Sequence, residues 1–212
     1  MIRSRKLSLV GLVETKVKEV NKDCVVRAIN PTWCVLSNYH SSPLGRVWVL
    51  WDPSVLDVVL VTCSAQAIHV RVTSIEKGWS CVVSVLYGDN ELVHRADLWA
   101  DLVSRHVGFD SLPWLVMGDL NSTRLPTEAL GGSTDWPAWQ NDLGVCLACV
   151  GLEDLANSGC FYTWSNKRAG APIVKKLDRV LVNLQWECSF TGSSTEFLPA
   201  GIFGPFSYGG YL

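Results

Sequence analysis

Charge is scarce in this chain, and so is any long apolar run. Of 212 residues only 18% are Asp, Glu, Lys or Arg, against roughly 25% in an average soluble protein. Yet 48% are hydrophobic, which excludes intrinsic disorder, since that needs low hydrophobicity with high net charge. The apolar residues come in short bursts, the longest being Val145–Leu152 with a glycine inside it. A membrane helix needs about 20 in a row, so no segment is expected to span a bilayer. A general basic field is missing as well: 18 Lys and Arg against 20 Asp and Glu leave a net charge of −2. Any nucleic-acid contact must therefore be local. A secretory signal is not legible either, because the apolar stretch after Arg3, Arg5 and Lys6 meets Glu14 before a signal core can form. An intracellular protein is expected.

What the chain does have is ten tryptophans and eight cysteines. An intracellular address favours free thiols over disulfides. Cys146 and Cys149 form a lone CxxC inside Asp135–Val150, where Trp136, Trp139, Leu143, Cys146, Leu147 and Val150 recur at helical spacing. They read as buried core thiols of a helix that Thr134 or Asp135 caps.

The β signals are dense. Leu7–Val13 is almost wholly apolar and ends at Glu14-Thr15, as a strand covered on both faces reads. Arg46–Trp51, Leu56–Thr62, Ala67–Thr73 and Trp79–Leu86 follow as consecutive, mostly antiparallel strands separated by polar and Gly/Pro punctuation. Leu92–His106 changes period, with Leu92, Ala96, Trp99, Leu102, Val103 and His106 on one stripe of an amphipathic helix. Pro113–Met117, Phe161–Trp164 and Leu177–Val182 read as further strands. With no internal repeat or linker, one layered α/β unit is the economical reading.

Three acidic sites share one logic, a carboxylate just after or within a short apolar strand: Glu14, Asp119 with Asn121, and Asp178. Hard cations are held by one or two carboxylates plus phosphate, so acids meeting at a sheet edge suit phosphoryl chemistry. Taken singly, Asp-Leu-Asn also reads as a turn, Glu14 as a solvated strand end, and Leu-Asp-Arg as an edge pairing.

Their order adds weight. Glu14-Thr-Lys, Tyr87-Gly-Asp-Asn90, Gly118-Asp-Leu-Asn121, Phe161-Tyr-Thr-Trp164 and Leu177-Asp-Arg179 resemble the endonuclease/exonuclease/phosphatase superfamily, the DNase I-like fold. More narrowly, Gly45–Pro53, Gly159–Asn166 and Lys176–Asn183 resemble the endonuclease domain of plant LINE-type (non-LTR) retrotransposons. The resemblance implies an α/β fold, a four-layer α/β/β/α sandwich, here incomplete at both edges. It implies that Glu14 holds Mg²⁺ or Mn²⁺, that Asp119 orients or deprotonates the attacking water, and that Asn121 hydrogen-bonds phosphate or nucleophile. Tyr87 would donate to the scissile phosphate, Asp178 would orient a catalytic histidine, and Trp164 would wall the site. The partner implied is DNA, and the place the nucleus. Arg3, Arg5, Lys6, Lys16, Lys18 and Lys22, and then Lys167, Arg168, Lys175, Lys176 and Arg179, are candidate phosphate contacts or solvated surface.

Two departures from the pattern matter. The family's opening strand, with its asparagine, has no counterpart, and its closing Asp-His is replaced by Gly201–Leu212, so a core strand after Phe203 is expected to be missing. Codons for Asp-His-Ser-Pro-Met-Val, written GAC CAT TCT CCT ATG GTG, regroup after one inserted G as GGA CCA TTC TCC TAT GGT, which reads Gly204–Gly209. Residues 1–203 are thus expected to be a partial domain and residues 204–212 an out-of-frame tail. General acid–base help is typically worth about 10²–10⁴-fold, and a degenerate, inactive copy follows. A phosphatase of the same superfamily or a non-catalytic interaction module stays open beside it.

Overall fold

The computed structural model describes residues 7–132, 135–199 and 207–210. In chain order its strands and helices are β1 (Leu9–Val13), α1 (Lys22–Ile29), β2 (Cys34–Ser37), β3 (Val47–Trp51), β4 (Leu56–Cys63), β5 (Ala67–Ser74), β6 (Ser80–Tyr87), α2 (Leu92–Phe109) and β7 (Trp114–Asp119). There follow β8 (Ala129–Leu130), α3 (Asp142–Val150), β9 (Glu153–Asp154), β10 (Asn157–Gly159), β11 (Trp164–Ser165), β12 (Val174–Lys175), β13 (Asp178–Val182), α4 (Leu184–Ser189), β14 (Thr195–Leu198) and β15 (Ser207–Gly210). Thr134 and the basic residues Arg3, Arg5 and Lys6 lie outside the described residues.

Six strands form the main sheet in the order β4-β5-β6-β7-β13-β9. β4, β5 and β6 are antiparallel neighbours, as their close spacing along the chain suggests. β6 and β7 run parallel, and the helix α2 between them is the crossover that a parallel pair needs. A second sheet has the order β1-β3-β2.

Strand alternation sorts side chains into separate cores. Val82 and Leu86 of β6 pack with Leu98, Trp99 and Leu102 of α2 and Leu143 and Leu147 of α3. The intervening Val83, Val85 and Tyr87 pack with Val47 and Val49 of β3, and with Leu9 and Val13 of β1. Trp48 and Leu50 of β3 point the other way, to Val26 of α1 and to Val10 and Leu12. The two sheets thus face each other, with α2 and α3 behind one and α1 behind the other. Gly11 is what lets β1 come this near: a Cβ there would stand 2.9 Å from Val85 Cγ1 and 3.1 Å from Met117 Cε.

Several expectations shift. The helix read from Asp135 begins at Asp142, after a 3₁₀ turn at Ala138–Asn141, and no side-chain capping bond starts it. Of the CxxC pair Cys146 is buried, but Cys149 is exposed, so only one is a core thiol. The phase read for α2 holds only in part: Trp99 and Leu102 are buried, together with Arg95, Leu98 and Phe109, whereas Ala96 and Val103 face solvent. Beyond Phe203, β15 pairs antiparallel with β14 from Thr195↔Gly210 to Leu198↔Ser207. Among the described residues no helix is long and apolar enough to cross a membrane.

Candidate active site

The acidic row is a product of strand register. β7 ends at Asp119, and its neighbours place Tyr87 of β6 on one side and Asp178 of β13 on the other, each directly opposite Asp119. The backbone locks this rung at the strand ends: Gly88 N–H donates to the carbonyl of Asp119 (2.8 Å), and Leu120 N–H to that of Leu177 (3.0 Å). Glu14 arrives from the opposing sheet. It follows β1 with φ 53°, and Tyr87 Oη donates to its Oε1 at 2.8 Å. Sheet packing over Gly11 therefore delivers the fourth member.

Asn121 belongs to the same edge. Its φ of 47° is a left-handed conformation that Asn tolerates better than most residues. Its N–H donates to Asp119 Oδ1 (2.8 Å), and its Nδ2 donates to the carbonyl of Gly88 (2.7 Å). The Asp-Leu-Asn turn and the site residue are thus one feature: the turn fixes the Asp119 carboxyl and ties it to the end of β6. All five residues singled out in the sequence, Glu14, Tyr87, Asp119, Asn121 and Asp178, are gathered at one sheet edge.

Burial dominates their electrostatics. Burial, opposed by the Asn121 N–H and reinforced by the Glu14 carboxylate, pushes Asp119 up to about 6. Burial, and next the Asp119 carboxylate across the rung, pushes Asp178 up to about 8. Burial and the bond to Glu14 push the Tyr87 phenol up to about 12, so it keeps the hydrogen that it donates to Glu14. Glu14 is the open member, its side chain 37% exposed with Lys16 Nζ 3.8 Å away. Among the described residues no three His, Cys, Asp or Glu side chains converge as a complete ligand set. A hard cation held here would take one or two of these carboxylates beside water and phosphate.

Residues that the sequence did not single out support the row. Thr163 Oγ1 accepts from the N–H groups of Leu177 (3.0 Å) and Asp178 (2.9 Å). Trp164 itself pairs with Lys175 in a small separate sheet, so it is Thr163 of that motif that meets Asp178. Arg46 stands over the Tyr87 ring, 5.4 Å from its centre. On that side a cleft of about 240 Å³ opens, lined by Arg46, Gln66, Tyr87, Asp89 and His94 among others.

Two cations proposed as phosphate contacts are removed from that role. Arg179 is fully buried, bonded to Glu128 and, at 2.9 Å, to Asp154. Lys176, also buried, reaches Asp154 at 2.9 Å. A buried cation needs carboxylate partners, and Glu128 and Asp154 supply them.

No protein-family model matches the sequence, and no curated protein matches it. Solved structures do. The endonuclease/exonuclease/phosphatase from Bacteroides vulgatus superposes with TM-score 0.64 at 13% identity, over 98% of this chain and 84% of that one. The endonuclease domain of TRAS1, a telomere-specific non-LTR retrotransposon, gives 0.60 at 14% identity over 84% and 86%. D. rerio TDP2 complexed with single-strand DNA product gives 0.57 at 12% identity over 92% and 79%. Likeness at this identity speaks for architecture, and with the two facing sheets and the acidic edge in view the chain has the DNase I-like fold of endonuclease/exonuclease/phosphatase proteins.

Proposed function

We propose that this chain is a Mg²⁺-dependent phosphodiester hydrolase in kind, a DNA-nicking endonuclease of the LINE retroelement type, whose turnover is slow for want of an imidazole. The observation that carries this reading is the single row Tyr87, Asp119, Asp178, with Glu14 bonded to its end. Buried carboxyls pushed up toward neutrality are costly, and such groups cluster where chemistry uses them.

Glu14, the solvent-open carboxylate, is the residue that would hold Mg²⁺ or Mn²⁺. A bound cation would offset charge that grows on phosphate oxygens. Tyr87, held protonated, donates; a phosphate oxygen can compete with Glu14 for that hydrogen. Asp119, with a proton affinity near neutrality, suits the task of orienting and deprotonating water. The Asn121 turn holds Asp119 in place for it. No histidine occurs after His106, so Asp178 has no imidazole from the C-terminal third of the sequence to orient. DNA as substrate is supported by the names of two similar structures, a retrotransposon endonuclease and TDP2 with DNA product, and by the three retroelement-like strings.

The test is a supercoiled-plasmid nicking assay with Mg²⁺, run beside a melting curve. Nicking at about 10²–10⁴-fold below an intact relative is expected, lost in Asp119→Ala. Mg²⁺ should raise the melting temperature of the wild type and leave Glu14→Ala unmoved. A wild type that neither nicks nor responds to Mg²⁺ would overturn the reading and leave a non-catalytic acidic pocket.

A further inference from the structure

Arg95 is the charged member of the buried stripe of α2, where its companions are Leu98, Trp99, Leu102 and Phe109. It is 6% exposed, yet among the described residues it pairs with no carboxylate. That sets it apart from Lys176 and Arg179, the other buried Lys and Arg side chains, which are bonded to Asp154 and Glu128. Burying a cation with no anion beside it is costly. An apolar side chain would suit this stripe better, so stability does not account for an arginine here.

Its side-chain hydrogen bonds run to the turn that follows β6. Nη1 donates to the carbonyls of Asp89 (2.8 Å) and Asn90 (3.3 Å). The stem lies close to Gly88, where a Cβ would stand 3.3 Å from Arg95 Cδ and 2.5 Å from the carbonyl oxygen of Leu120. Gln66 grips the same turn, its Oε1 accepting from the Asp89 N–H at 2.6 Å while its Nε2 donates to the carbonyl of His94 at 2.8 Å. Gly88 is where the turn meets the acidic row. Its N–H donates to the Asp119 carbonyl (2.8 Å), and its own carbonyl accepts from Asn121 Nδ2 (2.7 Å). The Asn121 N–H then fixes Asp119 Oδ1. Contacts therefore run unbroken from Arg95 through the turn and Asn121 to Asp119.

We propose that Arg95 is a positioning residue for phosphodiester hydrolysis, the buried clamp that holds the turn after β6 against Asn121 and so fixes the Asp119 carboxyl. The inference rests on the hydrolase reading above. Arg95 is not among the residues lining the cleft beside Tyr87, and it acts through Gly88 and Asn121. Its charge works in the same direction: burial raises the proton affinity of Asp119, and the Asn121 N–H and the Arg95 guanidinium act against it.

Because Arg95 has no carboxylate partner, replacing it strands no charge, and the carbonyls it leaves can turn to water, Asp89 being half-buried and Asn90 exposed. Arg95→Met in the full chain should therefore keep or raise the melting temperature. It should still lower the plasmid-nicking rate at saturating substrate by roughly 10–10²-fold with KM unchanged, as a displaced catalytic group does. Arg95→Lys, which can still donate to both carbonyls, should recover most of that rate. In an Asn121→Ala background Arg95→Met should add little further loss, since residues that act through one another are not additive. Amide exchange of Asn121 should quicken in Arg95→Met, a readout independent of turnover. A wild type that does not nick removes the hydrolase reading, and the Asn121 exchange alone then decides whether Arg95 clamps the row. An Arg95→Met chain that melts lower than the wild type, nicks at the wild-type rate, or exchanges the Asn121 amide no faster would overturn the inference. So would a full second loss in the Asn121→Ala background, or no recovery in Arg95→Lys.

Discussion

Asp119 and Asp178 sit opposite each other on one rung of the sheet, and folding raises the proton affinity of both. In the unfolded chain each releases its proton near 3.8; in the fold they hold on to about 6 and about 8. Between those limits the native state binds more protons than the unfolded one, so stability falls as pH rises from about 4 to about 8. Melting in chelator-treated buffer should therefore give a lower midpoint at pH about 8 than at about 5. Asp178→Asn, which has no charge to bury, should be more stable than wild type at the upper pH by on the order of a few kcal/mol, and not at the lower. Equal stability of the wild type at both values would refute the shared-burial account. Gly118 is the other residue on which the row depends. Its φ is +148°, and a Cβ would stand 1.9 Å from the carbonyl oxygen of Leu86 on the paired strand. Gly118→Ala should cost about 2–4 kcal/mol in urea unfolding; a loss under about 1 kcal/mol would mean that the strands part easily there.

At the scale of elements, β13 ties the site to the loops around it. Asp178 faces the row, and the next residue, Arg179, is locked to Glu128 beside β8 and to Asp154 of β9. Breaking a buried ion pair from one side costs about 3–5 kcal/mol, because the partner charge stays buried. Arg179→Met should lose that much in a denaturant titration, and adding Glu128→Gln should restore part of it. A neutral single substitution would mean that the network is solvated. The same strand shows what a sequence can and cannot disclose. Leu177–Val182 was legible as a strand from its apolar run, but a buried arginine within it looks on paper like a surface cation. Helix α2 was legible by its period, while its phase was so only in part, because two apolar stripes compete and only the sheet decides which is covered. Helix α3 was read seven residues too early, because Trp136 and Trp139 continue the helical spacing into what folds as a 3₁₀ turn at Ala138–Asn141.

For the whole molecule, the site exists only because two sheets meet. Glu14 ends one, Tyr87, Asp119 and Asp178 end strands of the other, and the hydroxyl of Tyr87 joins them. In the sequence by itself, apolar runs and alternation disclosed the long strands β1, β3–β7 and β13 but not β2 or the short β8, β9, β10, β12 and β14, and Phe161–Trp164 is a strand only at Trp164–Ser165. The carboxylates at the ends of buried strands were marked too, since an acid there has few reasons to be present. The sequence also determined the absence of a late histidine, a matter of composition alone. Only the tertiary structure decided that Tyr87, Asp119 and Asp178 share a rung, that Thr163 rather than Trp164 touches the row, that Lys176 and Arg179 are spent on Asp154 and Glu128, and that Ser207–Gly210 finds a strand to pair with. The reason is physical: period and propensity act over a few neighbouring residues, whereas register, burial and proton affinity are set by groups brought together from distant parts of the chain.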